Sequence, residues 1–106
     1  MTNIKQNTAE RDGAVELHAK ICRYLNDLYA KKNSDYGDSF HRTFTEEGMA
    51  AARIRLGDKF GRFKKLSMTG TQQVNDEPVK DTLLDLANYA IMTVMEMELT
   101  ENNKPV

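Results

Sequence analysis

Apolar and polar positions along this chain fall into three long stretches of helical period separated by two polar interruptions. From about Thr8 to Lys32, the residues Val15, His18, Ile21, Cys22, Leu25, Leu28 and Tyr29 recur every three or four positions and define one helix face. Asn7 and Thr8 suit its cap, and Glu10 and Asp12 complement its dipole. Residues 33–44 interrupt the pattern. A second helix is expected to start at Thr45, an N-cap followed by Glu46 and Glu47, with Met49, Ala52, Leu56, Phe60, Phe63 and Leu66 on its inner face. Residues 67–76, SMTGTQQVND, read as a loop. Asp76 or Glu77 then caps a third helix, Pro78 fits its first turn, and the pattern extends to about Leu99.

The third helix is apolar around most of its circumference, through Leu83, Leu84, Leu86, Ala87, Ala90, Ile91, Val94, Met95 and Met97. Such a helix needs cover on more than one side, and two other long helices do not supply it. A second subunit is the natural cover. No stretch alternates as a strand does. The pattern therefore predicts an all-α fold, with three long helices in a bundle completed by homo-oligomerisation. It predicts a single helical domain over residues 1–99 and a frayed tail over 100–106.

Composition narrows the class without changing the fold. A chain of 106 residues fits one compact domain, and a domain of this size buries roughly 65% of its unfolded surface. The single cysteine excludes an intrachain disulfide, and no Cys/His cluster has zinc spacing. Cys22 sits in the apolar pattern and reads as a core residue. The sequence carries no secretory signal and no apolar run near the ~20 residues that cross a membrane, so a cytoplasmic location is expected. The net charge of −1 hides a polarity: residues 31–65 hold nine basic groups against five acidic, and residues 66–106 hold two against seven. The centre can attract an anion, or the two segments can neutralise one another across a helix interface.

Three short stretches carry candidate chemistry. On the second helix, Arg55, Lys59 and Arg62 share a face at spacings of four and three, with Asp58 beside them. Paired guanidinium donors match phosphate oxygens, so this face reads as a phosphate clamp or as a solvated face with intrahelical ion pairs. Gly57 and Gly61 interrupt the same helix, where each costs up to ~1 kcal/mol and suggests close approach by another backbone. On the third helix, Asp81, Asp85 and Asn88 form a polar line, and Asp85 between Leu84 and Leu86 needs a partner. That partner is a magnesium ion or one of Arg55, Lys59 and Arg62. The stretch SDYGDSFHRTF, residues 34–44, offers Tyr36, Phe40 and His41 for stacking on a heterocycle, Asp35, Asp38 and Ser39 for polar readout, and flanking cations at Lys31, Lys32 and Arg42. The competing role for its rings is to plug the end of the bundle.

The blocks KKNSDYGDSFHRTF, ARIRLGDKFGRFKKL and VKDTLLDLANYAIM together resemble the phage- and bacteria-associated family named nucleotide modification associated domain, type 1. The resemblance covers most of residues 29–95. Its signature falls on Asp35, Tyr36, Gly37, Ser39, Phe40, Arg55, Asp58, Lys59, Arg62, Asp81, Asp85 and Asn88. It implies an association with nucleotide metabolism or modification rather than a defined reaction. A looser similarity is to all-α nucleotide pyrophosphatases of the MazG kind, which gather glutamates around magnesium. Here the corresponding helix sets Asp58 among Arg53, Arg55, Lys59 and Arg62, a poor metal face and a good phosphate face.

The leading expectation is a small, phage-type, homo-oligomeric nucleotide-binding protein that needs no cofactor and holds its ligand at a subunit interface. Its ligand-binding residues are Lys32, Asp35, Tyr36, Ser39, Phe40, Arg42, Arg55, Lys59 and Arg62. Sequestration of a cyclic or ADP-ribose-derived immune signal in the host cytoplasm is a role suggested by analogy alone. The enzymatic alternative is magnesium-dependent nucleotide hydrolysis with Asp58, Asp81 and Asp85 as metal ligands. A third alternative is a structural helical adaptor. Sequence-specific nucleic-acid binding is not expected, since the central surplus is modest and no helix-turn-helix spacing is present.

Overall fold

The computed structural model describes residues 11–34, 36–68 and 76–102. Four helices occur among them: α1 (Ala14–Lys31), α2 (Gly37–Glu47), α3 (Met49–Met68) and α4 (Asp76–Asn102). The fold is all-α, as the periodicity requires, but the described residues hold four helices and not three. The caps expected at Asn7 and Thr8, the dipole partner expected at Glu10, most of the 67–76 loop and the end of the tail lie outside the described residues. Helix α4 runs past Leu99 to Asn102.

The additional helix lies in the segment expected to interrupt the pattern. Its apolar line is short: Tyr36, Phe40 and Phe44 recur every four residues, enough for one stripe along an 11-residue helix. Thr45 is not an N-cap. It sits inside α2 and its Oγ1 donates to the His41 carbonyl at 2.8 Å, a bond a helix interior allows. The true boundary is Gly48, whose φ of +66° favours glycine and whose N–H closes α2 on the Phe44 carbonyl at 2.8 Å. The sequence after Gly48 restarts at once as α3. A pattern of apolar positions cannot register a break one residue long, whereas a backbone dihedral can.

Contacts divide the chain into two units, one ending at Lys31 and the other starting at Lys32. In the first, α1 keeps Glu16 in its first turn and Lys31 in its last, each matching the helix dipole. Leu25 is its buried residue, while Val15, Ile21 and Cys22 are exposed. The core role expected for Cys22 is therefore not met; its Sγ instead lies 3.6 Å from His18 Nδ1 on an exposed face.

The second unit is built on α3 packed against α4, with α2 touching both. Ala51 and Ala52 on α3 and Met92 on α4 are almost wholly buried, so small residues set a close helix approach. Leu56, Phe63 and Leu66 continue the inner face of α3, but Phe60 is half exposed and Lys59 takes an inward position. Helix α4 buries an unexpectedly polar side, comprising Thr82, Asn88, Thr93 and Glu96. Thr82 and Thr93 satisfy their hydroxyls within the helix by donating to the Pro78 and Tyr89 carbonyls, each at 2.7 Å. Among the described residues no buried side-chain nitrogen or oxygen is left without a partner.

Candidate functional site

The three helices of the second unit meet at Asp85. Tyr36, at the N-terminal end of α2, donates its phenolic O–H to Asp85 Oδ1 at 3.1 Å. Lys59, midway along α3, places Nζ 3.1 Å from Asp85 Oδ2. The two oxygens of one carboxylate thus tie α2 and α3 to α4. Among the cations offered by α3, Lys59 is the one that pairs with Asp85, and it does so within the chain. The pair is partly wet, with side-chain exposures of 29% for Lys59 and 24% for Asp85.

Rings pack around this chain of contacts. Tyr36 lies against Tyr89 with centroids 5.2 Å apart, and Phe40 meets Tyr89 nearly edge-on at 5.6 Å. Phe40 also contacts Phe44 at 6.0 Å. The Lys32 ammonium stands 5.8 Å from the centre of the Tyr36 ring, in cation–π range. Burial, followed by the charge of Asp85 and the hydrogen bond to it, raises the Tyr36 pKa well above the ordinary phenol range, against a smaller opposing contribution from Asn88. Tyr36 is consequently a fixed O–H donor at neutral pH. It holds one side of Asp85 while Lys59 holds the other.

The remaining expected residues are distributed unevenly. Arg55 and Arg62 flank Lys59 on one face of α3, are exposed, and form no ion pair among the described residues. Ser39 is half-buried on α2, Arg42 is exposed, and Asp35 lies outside the described residues. Phe40 is only 2% exposed and supports the ring cluster from below. Asp58 and Asp81 are both exposed, and among the described residues no three His, Cys, Asp or Glu side chains gather as a metal-holding group. Asp85 faces an ammonium and a phenol, a donor set that suits a carboxylate and not a hard cation.

One pairing was not anticipated from sequence. His41 on α2 directs Nδ1 at the Glu96 carboxylate, 2.8 Å from Oε1 and 3.0 Å from Oε2. Glu96 is 8% exposed, so an acid deep on an apolar helix finds its partner in a half-exposed imidazole. The signal available in the sequence was the spacing. Glu96 follows Asp85 by eleven residues, three helical turns, which places both acids on the same side of α4.

Comparison with known families matches residues 32–97 to the model of nucleotide modification associated domain 1. That match spans well over half of the chain and takes in Tyr36, His41, Lys59, Asp85 and Glu96. The chain belongs to this family. No curated protein and no solved structure matches it.

Proposed function

We propose that this member of the nucleotide modification associated domain 1 family binds a phosphorylated nucleotide at the Tyr36–Asp85–Lys59 junction and does not cleave it. The observation that carries this reading is the α3 face itself. Lys59 is anchored by Asp85, while Arg55 and Arg62, about one turn to either side, are exposed and unpaired among the described residues. Two available guanidiniums on the face of α3 that carries Lys59 offer paired donors to phosphate oxygens, while Asp85 already offsets part of the Lys59 charge. Tyr36 offers a half-buried ring beside them, with Lys32 and Arg42 supplying further positive charge. Phosphate on α3 and a base on Tyr36 would sit on adjoining elements. Ser39, half-buried on α2, is a polar group available to select the ligand.

Binding of this kind needs no metal, because the charge that neutralises the phosphate comes from side chains. A protein that holds a nucleotide intact acts by sequestering or delivering it. Homo-oligomerisation is part of the same reading, supported by the apolar residues that α4 leaves exposed.

Thermal denaturation with mono-, di- and cyclic nucleotides, followed by chromatography of each ligand, tests the proposal. A true ligand at 100 times its dissociation constant should add ~2.7 kcal/mol of stability. Arg55→Gln and Arg62→Gln should each weaken binding ~10-fold, with the unliganded melting temperature unchanged. Recovery of a hydrolysed product would replace the binder with an enzyme. Equal affinity in the arginine variants would remove α3 from the site.

A further inference from the structure

Helix α4 departs from an ordinary surface helix on both sides. Its inward side mixes Met92 with Thr82, Asn88, Thr93 and Glu96, and its outward side carries Leu83, Ala90, Val94 and Met97. Leu83, Val94 and Met97 keep 40%, 54% and 50% of their surface exposed. With Ala90, these positions are spaced by seven, four and three residues, the period of a helix seam that meets another helix. Exposed apolar residues scattered singly need no explanation, but a continuous stripe of them along one face marks an interaction surface.

The ends of the stripe identify the occupant. Lys80 precedes Leu83 by three residues, and Glu98 follows Met97; both are exposed, and neither forms an ion pair among the described residues. A second α4 running antiparallel about a two-fold axis at Ala90 would set Leu83 opposite Met97 of the other copy. Lys80 would then come within a helical turn of the other copy's Glu98, and the same pair would repeat at the far end. Ala90, at the crossing point, is small enough for the two backbones to approach closely. Reversed about Ala90, the stripe thus matches Leu83 with Met97, places Val94 opposite Leu86 and brings opposite charges together at its ends. A parallel copy would instead oppose lysine to lysine and glutamate to glutamate. The other acids on the inward side, Asp85 and Glu96, are already held by Lys59 and His41 and do not face this seam.

We infer that the outward face of α4 is an isologous dimer interface, in which a second copy of the chain lies antiparallel across Ala90 with Lys80 and Glu98 paired at both ends. The inference rests on the homo-oligomeric reading above and not on nucleotide binding.

Sedimentation equilibrium of the full chain tests it, with an expected mass of twice 12.1 kDa. Ala90→Glu sets like charges against each other across the axis and should raise the dissociation constant ~30-fold or more, while the circular dichroism at 222 nm retains its helix content. Lys80→Glu and Glu98→Lys should each weaken the dimer ~3-fold, and the double reversal should restore it. These two positions are exposed at the ends of the stripe, so their variants remain informative if Ala90→Glu fails to fold. A single-chain mass for the parent protein overturns both the oligomer and the interface. A dimer that ignores Ala90→Glu and both charge reversals overturns the interface and leaves the oligomeric reading in place.

Discussion

Removing Lys59 is the most direct test of the junction at Asp85. At 3.1 Å and an effective dielectric constant of ~20, the raw attraction between Lys59 and Asp85 is about 5 kcal/mol. Roughly a quarter of each side chain remains in water, and each charge loses hydration on joining the other. After that loss the coupling left should be ~1–2 kcal/mol, above the range of exposed pairs and below that of fully buried ones. A double-mutant cycle isolates it: Lys59→Met, Asp85→Asn and the combination, each unfolded in urea and followed at 222 nm. Lys59→Met alone should cost ~1–2 kcal/mol, since it leaves a partly buried carboxylate with only the Tyr36 hydroxyl. The Asp85→Asn change should cost less in the Lys59→Met background than in the parent. Raising salt to 1 M should reduce the coupling without abolishing it, because the pair is sheltered from bulk ions. A coupling below ~0.3 kcal/mol, or one that vanishes in salt, would show that Lys59 is a surface cation and that the three helices are joined by packing alone.

Tyr36 predicts a specific alkaline response. Its folded pKa is raised by burial and by Asp85, so the unfolded phenol loses its proton first, near pH 10, and the unfolded state then binds fewer protons than the folded one. The stabilisation is therefore complete below about pH 10 and declines as pH rises above it; Tyr36→Phe should flatten that decline in urea titrations between pH 9 and 11, and an unchanged slope would contradict the combined effect of burial and Asp85 on the phenol. Gly61→Ala should stabilise the protein by ~0.5–1 kcal/mol, because an added Cβ there meets nothing within 4 Å and the helix gains propensity. Loss of stability on that change, read by the urea midpoint, would mean that a neighbouring copy or ligand approaches the glycine.

How far the sequence revealed this molecule depended on the range of each signal. Long periods were legible: α1, α3 and α4 each repeat an apolar face over at least five turns, and the all-α class follows from them. Helix α2 was not, because its evidence is three rings spaced by four, in a segment whose polar residues looked like those of a loop. The phase of a helix proved harder still. On α3 the apolar pattern placed Phe60 inside, yet Lys59 turns inward because Asp85 offers it a charge partner that no count of apolar residues can weigh. The core assignment of Cys22 failed similarly, since membership in an amphipathic stripe does not say whether anything covers that stripe.

The polar residues of α4 connect these errors. An apolar helix interrupted by Asp85, Asn88, Thr93 and Glu96 can be read as a buried helix with functional exceptions. In the folded chain those residues form the inward side, each with a partner close at hand or within its own helix. Asp85 holds Tyr36 and Lys59, and Glu96 holds His41, so the two acids fasten the N-terminal end and the middle of α2 to one helix. Polar contacts are more directional than apolar ones, and they fix α2 in register where an 11-residue helix with a thin apolar stripe would have little to hold it. Some apolar residues of α4, Leu83, Ile91, Val94 and Met97 among them, are correspondingly left outside, while Met92 stays buried. The proposed ligand face on α3 and the proposed seam on α4 then share one cause: charge and hydrogen bonding at Asp85 and Glu96 share the interior with Phe40, Ala51, Ala52 and Met92, and Leu83, Val94 and Met97 are left exposed.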